Sequence, residues 1–332
     1  MSRWARLRAA ALRRIRGPYL PLAGLDARVY EIQQRLAALE EALAMSREAL
    51  ITSREALAVS HKTRETTEAT HRLLADEMRP VLRAMAAEES ANRRRLHELR
   101  GRPDYRAAWT EPSPLVTVTV ATRDRPDLLA SRALPSILGQ TYRELDVIVV
   151  GDNTDAATER VIHDLQDPRV TFRNLPHGVH ISDDPWRRWL VAATMARNEA
   201  TQLARGRWIV QFDDDDAMSA DCIERLLERA RGDELEAVYG RVCARRQGEP
   251  PFEIGMFPPR LGRFTWAAGM YHAGLRFFRR ELFAADLGVP GDWFLAERML
   301  RAGVRFGMVD AVLCDIYPSE MNQVQPTRDP PG

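Results

Sequence analysis

The chain has little cysteine, almost no lysine and no long apolar run, and each shortage excludes a class of protein. Its 332 residues include three cysteines, Cys222, Cys243 and Cys314, which are too few for a disulfide framework and lack the C-x-x-C spacing of zinc or redox motifs. This usage indicates a reducing, cytoplasmic environment. The longest apolar runs have the length of a strand, far below the roughly 18 residues of a spanning helix, which excludes a polytopic membrane protein.

The charge balance also excludes partners and mechanisms. The 48 basic and 47 acidic side chains leave a net charge of +1, so we expect no nucleic-acid partner. Lys62 is the only lysine, which excludes a catalytic lysine from the rest of the chain. Residues 1–100 hold 19 basic and 13 acidic groups (net +6) and the remainder 29 and 34 (net −5), so the chain is predicted to have two parts.

The N-terminal part begins with a basic segment, residues 1–24, whose six arginines alternate with apolar residues and which contains no acid. Such a segment suits peripheral contact with the inner face of an anionic membrane, and the alternative is a solvated tail. Residues 25–100 are predicted to be helical, with one helix that ends near Pro80 and a second over 81–99. Leucines recur every seven residues at Leu36, Leu43, Leu50 and Leu57, which predicts a homo-oligomeric coiled coil through residues 26–60. A helical arm that folds back on its own domain is the alternative.

After a linker over 101–113, the pattern changes to that of an α/β domain over residues 114–320, followed by a flexible tail over 321–332. Short apolar, β-branched runs alternate with helical segments, which predicts a mostly parallel sheet flanked by helices. We expect strands over 115–121, 145–151, 170–174, 207–213 and 237–243. Helices are expected over 127–140, 156–167, 186–205 and 220–231.

Polar residues follow three of these strands, where α/β sheets bind ligands. They are residues 122–126 (TRDRP), 152–155 (DNTD) and 213–216 (DDDD). Helix capping accounts for Asp155. Four adjacent carboxylates repel one another, a cost that a divalent cation removes, and all-oxygen ligands favour Mn²⁺ or Mg²⁺. Because these ions bind through one or two carboxylates plus substrate phosphates, the sequence predicts a diphosphate substrate.

Four motifs in the same order resemble those of family 2 glycosyltransferases, which have the type-A glycosyltransferase fold. They are residues 115–126 (LVTVTVATRDRP) with 134–142 (LPSILGQTY), 147–155 (VIVVGDNTD), 196–198 (ARN) with 204–216 (ARGRWIVQFDDDD), and 291–293 (GDW). Two departures stand out. Gly151 replaces an acid found in many relatives, and Gly291 replaces the usual Glu before Asp292.

The resemblance implies an enzyme that transfers a sugar, with inversion, from a nucleoside-diphosphate donor to a glycan, lipid-linked or protein acceptor, as in cell-surface glycan or glycolipid synthesis. It implies Asp292 as the catalytic base that activates the acceptor, with helix capping as the alternative. The metal ligands would be Asp215 and Asp213.

The resemblance also implies two further sets of contacts. Binding of the nucleotide sugar would involve Thr122, Arg123, Asp152, Arg197, Asp213 and Asp214, although structural salt bridges are the alternative for the arginines. Trp266, His272 and Trp293 would line the acceptor pocket, or else pack in the core. A scaffold or glycan-binding protein with a degenerate glycosyltransferase domain is the non-enzymatic alternative.

Overall fold

The computed structural model of the protein describes residues 32–40, 56–176, 181–246 and 248–318. The chain divides into two units, Leu22–Arg94 and Arg95 onward. In the part described, no helix combines the length and the apolar character needed to cross a membrane. The predicted membrane segment 1–24, the tail 321–332 and Leu43 and Leu50 of the heptads lie outside the described residues.

The N-terminal helices are α1 (residues 32–40) and α2 (Ala56–Arg100). The predicted helix end near Pro80 is wrong, since α2 runs through this proline. A proline removes one backbone hydrogen bond, but good helix formers on both sides continue the helix. Oligomerisation through residues 26–60 stays a prediction.

The segment 101–113, predicted to be a linker, contains the short helix α3 (Ala107–Thr110), and its Tyr105 and Ala108 are buried. The carboxylate of Glu236, which is fully buried, accepts hydrogen bonds from the Nε and Nη2 of Arg100 at 2.8 and 2.7 Å and from the Tyr105 hydroxyl. The second unit therefore begins before Pro114.

The second unit is built on a mixed sheet whose strands follow the predicted α/β alternation. They are β1 (Val116–Thr122), β2 (Leu145–Gly151), β3 (Val170–Asn174), β4 (Trp208–Asp213), β5 (Ala217–Met218), β6 (Ala237–Ala244), β7 (Phe252–Ile254), β8 (Gly269–His272) and β9 (Phe306–Ile316). The order is β3-β2-β1-β4-β8-β6-β9-β5, with β7 paired to β6. The first four strands are parallel, and β8 pairs antiparallel with β4 and β6.

Helices cover the sheet. They are α4 (Pro126–Leu128), a π-helical turn (Leu129–Ala133), α5 (Leu134–Leu138), α6 (Ala156–Leu165), α7 (Pro185–Leu190), α8 (Thr194–Leu203), α9 (Cys222–Gly232) and α10 (Gly291–Ala302), with 3₁₀ turns at Ala273–Phe277 and Leu282–Ala285. Asp155 caps α6, since its side chain accepts the Thr158 N–H at 2.9 Å. The single helix predicted over 186–205 is divided at Ala193, which has a left-handed φ of 54°.

Every residue of β1 and β2 is buried, as expected for central parallel strands covered on both faces. One core layer contains Val118, Val120, Trp208, Val210 and Phe212. Since β1, β2 and β4 are parallel, Thr122, Gly151 and Asp213 end at the same edge. The sheet thus brings the three predicted polar loops together.

Candidate active site

A group of carboxylates lies at the end of β4. One oxygen each from Asp213, Asp215 and Asp216 lies within 4.8 Å of the others. Asp214 is held elsewhere, accepting hydrogen bonds from the Thr122 hydroxyl at 2.8 Å and Arg125 Nη1 at 3.1 Å. Asp213 and Asp215, the predicted metal ligands, are therefore neighbours, and Asp216 joins them.

Burial and mutual repulsion act on these carboxylates. Burial raises the pKa of Asp215 to about 6, with further contributions from Asp213 and Asp214, although Arg125 Nη1 lies 2.8 Å from its Oδ2. Burial and the charges of Asp213 and Asp215 also raise the pKa of Asp216 well above its usual value. In the described part of the chain, no basic side chain forms an ion pair with Asp216. The oxygen ligands and the excess of negative charge fit a divalent cation such as Mg²⁺ or Mn²⁺.

Asp213 differs from its neighbours because Arg197, on α8, pairs with it. Burial alone would raise the pKa of Asp213, but the attraction of Arg197 and the hydrogen bond from it lower that pKa overall. The break at Ala193 starts α8 one turn before Arg197. Arg197 therefore lies beside this carboxylate group and forms the salt bridge that was the alternative for it, while its contact with the nucleotide sugar stays a prediction.

The loops after β1 and β2 form a second part of the edge. The Asp152 N–H donates to the Thr122 carbonyl at 2.9 Å, and Arg123 Nη1 lies 3.9 Å from Asp152 Oδ2. Burial raises the pKa of Asp152, while Arg123 opposes the rise. Asp124 joins the two loops through a 2.8 Å hydrogen bond from the Asp155 N–H to its Oδ1. The side chain of Arg123 is 57% exposed and so is available to a ligand.

Gly151 has a packing reason to lack a side chain. A Cβ built on it would lie 2.6 Å from both Asn174 Oδ1 and Thr154 Cγ2. Asn174 uses this space to accept the Thr154 N–H at 3.0 Å and to donate to the Thr154 carbonyl at 2.9 Å. The absence of a side chain at position 151 therefore lets Asn174 hold the loop that contains Asp152, through two hydrogen bonds to the Thr154 backbone.

Asp292 lies in the first turn of α10, where its Oδ1 accepts the Trp293 N–H at 2.7 Å. The Trp266 indole N–H donates to the Asp292 carbonyl at 3.1 Å. The charge of Asp292 acts to raise the pKa of both Arg197 and Arg280, as does that of Asp213. Asp292 therefore lies within electrostatic range of the same two arginines as Asp213.

The three aromatic residues predicted to line an acceptor pocket are buried. Trp266 and Trp293 are each 1% exposed, and Trp266 packs against Phe264 and Tyr271. His272 pairs with Trp208, at the opposite end of β4 from Asp213, about 17 Å away at the usual strand rise. It lines a different cavity of about 400 Å³. The burial of all three side chains fits their alternative of core packing, while a role for them in the acceptor pocket stays a prediction.

Three residues near the site were missing from the predicted set. Asp216 belongs to the predicted acidic run, and Arg125 to the TRDRP motif, so their place in the sequence was a usable indication. Arg280 had none, because it is one of 47 arginines and its neighbourhood is created by folding.

The fold and the carboxylate-lined edge define a type-A glycosyltransferase domain. A family model described as "Glycosyl transferase family 2" matches residues 117–286, and the chain belongs to this family. Among solved structures it is similar to S. aureus TarS 1-349 in complex with UDP-GlcNAc, with a TM-score of 0.50 and 14% identity over 63% of this chain and 60% of that one. This likeness shows the fold.

Two curated relatives come from Rhizobium meliloti (strain 1021). The succinoglycan biosynthesis protein ExoO is 33% identical over 117 residues, which cover 35% of this chain and 30% of ExoO. An N-acetylglucosaminyltransferase is 26% identical over 239 residues, which cover 64% of this chain and 53% of the relative. The chain thus spans about a third to a half of these relatives' length.

Proposed function

We propose that this protein is an inverting, metal-dependent glycosyltransferase that moves a sugar from a nucleoside diphosphate to an acceptor hydroxyl during synthesis of a cell-surface glycan. The observation that supports this proposal most directly is the cluster of Asp213, Asp215 and Asp216. The charges of Asp213 and Asp292 both act on Arg197 and Arg280, so Asp292 belongs to the same electrostatic neighbourhood. The naming of one relative for succinoglycan biosynthesis and another for N-acetylglucosamine transfer supports this class of product.

Asp213, Asp215 and Asp216 would hold the metal, Mn²⁺ or Mg²⁺. When bound, the ion would compensate charge on the donor diphosphate as a Lewis acid. The protein side chains hold the carboxylates in place: Arg125 donates to Asp215, and Arg197 pairs with Asp213. Asp152 and Arg123, which lie 3.9 Å apart on the neighbouring loops, would contact the nucleoside part of the donor.

In the proposed reaction, the acceptor oxygen bonds to the anomeric carbon while the bond from that carbon to the diphosphate oxygen breaks. The electron pair of the broken bond leaves with the nucleoside diphosphate. Asp292 takes the proton of the acceptor hydroxyl, a contribution of roughly 10²–10⁴ in rate. Its Oδ1 is held by the Trp293 N–H, which fixes the carboxylate against the helix.

The acceptor is proposed to be a glycan, a lipid-linked sugar or a glycosylated protein. A lipid-linked acceptor at the inner face of a membrane would agree with the predicted role of residues 1–24. Within this proposal the protein acts in the cytoplasm, where sugar nucleotides are available.

The test is a screen of nucleotide sugars with Mn²⁺ or Mg²⁺, in which donor hydrolysis and transfer are both measured. Asp215→Ala is expected to abolish both, and Asp292→Asn to retain donor binding while transfer falls by at least about 100-fold. Asp310→Asn is the matched control, because the Asp310 side chain is 84% exposed and its ion-pair partner is Arg241, which is not one of the proposed site residues. A native protein that neither binds nor consumes any nucleotide sugar would refute the proposal.

A further inference from the structure

Arg280 is a firmly held arginine whose charge the described residues leave without an ion pair. Its backbone is clamped by Asn198, which accepts the Arg280 N–H and donates to the Arg280 carbonyl, both at 2.9 Å. Its Nε donates to Gln211 Oε1 at 3.0 Å, and Gln211 in turn donates to the Tyr271 hydroxyl at 3.0 Å. The guanidinium is therefore fixed along its Nε edge.

The other inward-lying arginines have acidic partners. Arg125, Arg197 and Arg301 each lie within 4.0 Å of a carboxylate. Among the described residues, no carboxylate comes that close to Arg280. Arg280 is only partly exposed, and a half-buried guanidinium without a carboxylate partner is suited to bind an anion.

Arg280 lies within electrostatic range of Arg197, Asp213 and Asp292. Burial and the charge of Arg197 together lower its pKa to about 10, against the opposing charges of Asp292 and Asp213. Arg280 stays charged at neutral pH. A Cβ on Gly291 would lie 3.8 Å from Arg280 Nη1. This end of the guanidinium therefore lies beside the N-terminus of α10, whose helix dipole adds positive potential.

We propose that Arg280 binds the terminal phosphate of the donor's diphosphate, the phosphate that carries the sugar. This inference rests on the proposed function. Arg280 contacts Gln211, two residues before the proposed metal ligand Asp213 on β4, and lies beside Gly291, which precedes the proposed base Asp292. In the proposed reaction, the phosphate that carries the sugar must lie between the metal and the base. A planar guanidinium suits bidentate contact with phosphate oxygens, and its charge opposes the negative charge that develops as the bond to the sugar breaks.

The experiment first identifies a nucleoside diphosphate that the native full-length chain binds, by calorimetry with UDP, GDP, dTDP, CDP and ADP in excess Mn²⁺. Binding of that diphosphate and of its monophosphate is then compared in Arg280→Gln, Arg280→Lys and Arg279→Gln. Arg279 is the matched control, an adjacent arginine that is exposed. Circular dichroism checks folding, and Arg280→Lys carries the same test if the glutamine variant does not fold.

We expect Arg280→Gln to weaken diphosphate binding by at least about 10-fold and monophosphate binding by no more than about 2-fold. The diphosphate affinity of Arg280→Lys should fall in between, since lysine keeps the positive charge but cannot donate two parallel hydrogen bonds. The affinity of Arg279→Gln should match that of the native chain. Unchanged diphosphate binding in a folded Arg280 variant would overturn the inference, as would equal losses for both nucleotides. A native chain that binds no nucleoside diphosphate would instead overturn the proposed function.

Discussion

Replacing Asp215 with asparagine should stabilise the metal-free protein and remove most of its response to Mn²⁺. Burial and the charges of Asp213 and Asp214 raise the pKa of Asp215 from 3.8 to about 6. An acid with a raised pKa binds its proton more tightly in the folded state. Folding stability is therefore unaffected below pH 3.8, falls as the pH rises towards 6, and stays reduced above it.

The magnitude follows from the shift. At about 1.4 kcal/mol per pKa unit, ionised Asp215 costs the metal-free protein roughly 3 kcal/mol at pH 8. Asparagine resembles the protonated acid in shape and charge, and its amide oxygen can still accept from Arg125. In a domain of this size the substitution should raise the melting temperature by roughly 6–12 °C.

The assay is thermal unfolding of the native chain and Asp215→Asn at pH 4, 6 and 8, in EDTA and then in excess Mn²⁺. In EDTA the variant should melt higher at pH 8 and together with the native chain at pH 4. Mn²⁺ should stabilise the native chain far more than the variant, since a ligand stabilises only the state that binds it. Asp310→Asn is the surface control. A variant that melts no higher than the native chain at pH 8 in EDTA, or a gain independent of pH, would refute the reasoning.

Three further predictions follow from the same contacts. Asp292→Asn should lower kcat by about 10²–10⁴ with little change in donor affinity, and a stopped assay with binding calorimetry separates the two effects. Glu236→Gln should destabilise the fold by roughly 1–3 kcal/mol at pH 7, because the carboxylate accepts from Arg100 and Tyr105. Hydrogen bonds outweigh burial and lower the Glu236 pKa, so this difference should shrink as the pH falls below about 4.5, which denaturant unfolding at several pH values measures. Gly151→Ala should cost roughly 1–3 kcal/mol, because the added Cβ would meet Asn174 Oδ1 at 2.6 Å, and chemical denaturation against the native chain checks this.

The strand bounds were predictable because their signals are local. Residues 145–151 and 170–174 were predicted as strands and are β2 and β3. Strand β1 begins and ends one residue later than predicted, and β4 begins one residue later. The helices were less predictable. The breaks at Ala193 and in the π-helical turn depend on how each helix packs on the sheet, and the continuity of α2 through Pro80 shows that one unfavourable residue does not end a helix.

In the candidate site, too, the features that depend on contiguous residues were predictable and those that depend on folding were not. The acidic run 213–216 and the family motifs predicted the edge of the sheet at which the carboxylates lie, since each motif is contiguous in sequence. The sequence did not show that antiparallel pairing of β8 places His272 beside Trp208, at the other end of β4 from the carboxylates.

By itself, the sequence determined the α/β alternation, the glycosyltransferase family and the carboxylates at the end of β4, since all of these depend on residues close together in the chain. Only the tertiary structure decided that Asp214 turns to Thr122 and Arg125 while Asp216 joins Asp213 and Asp215. It also decided that Arg280 stands without an ion pair beside Gly291. Such relations depend on which distant segments the sheet brings together, and no local pattern encodes the distance between them.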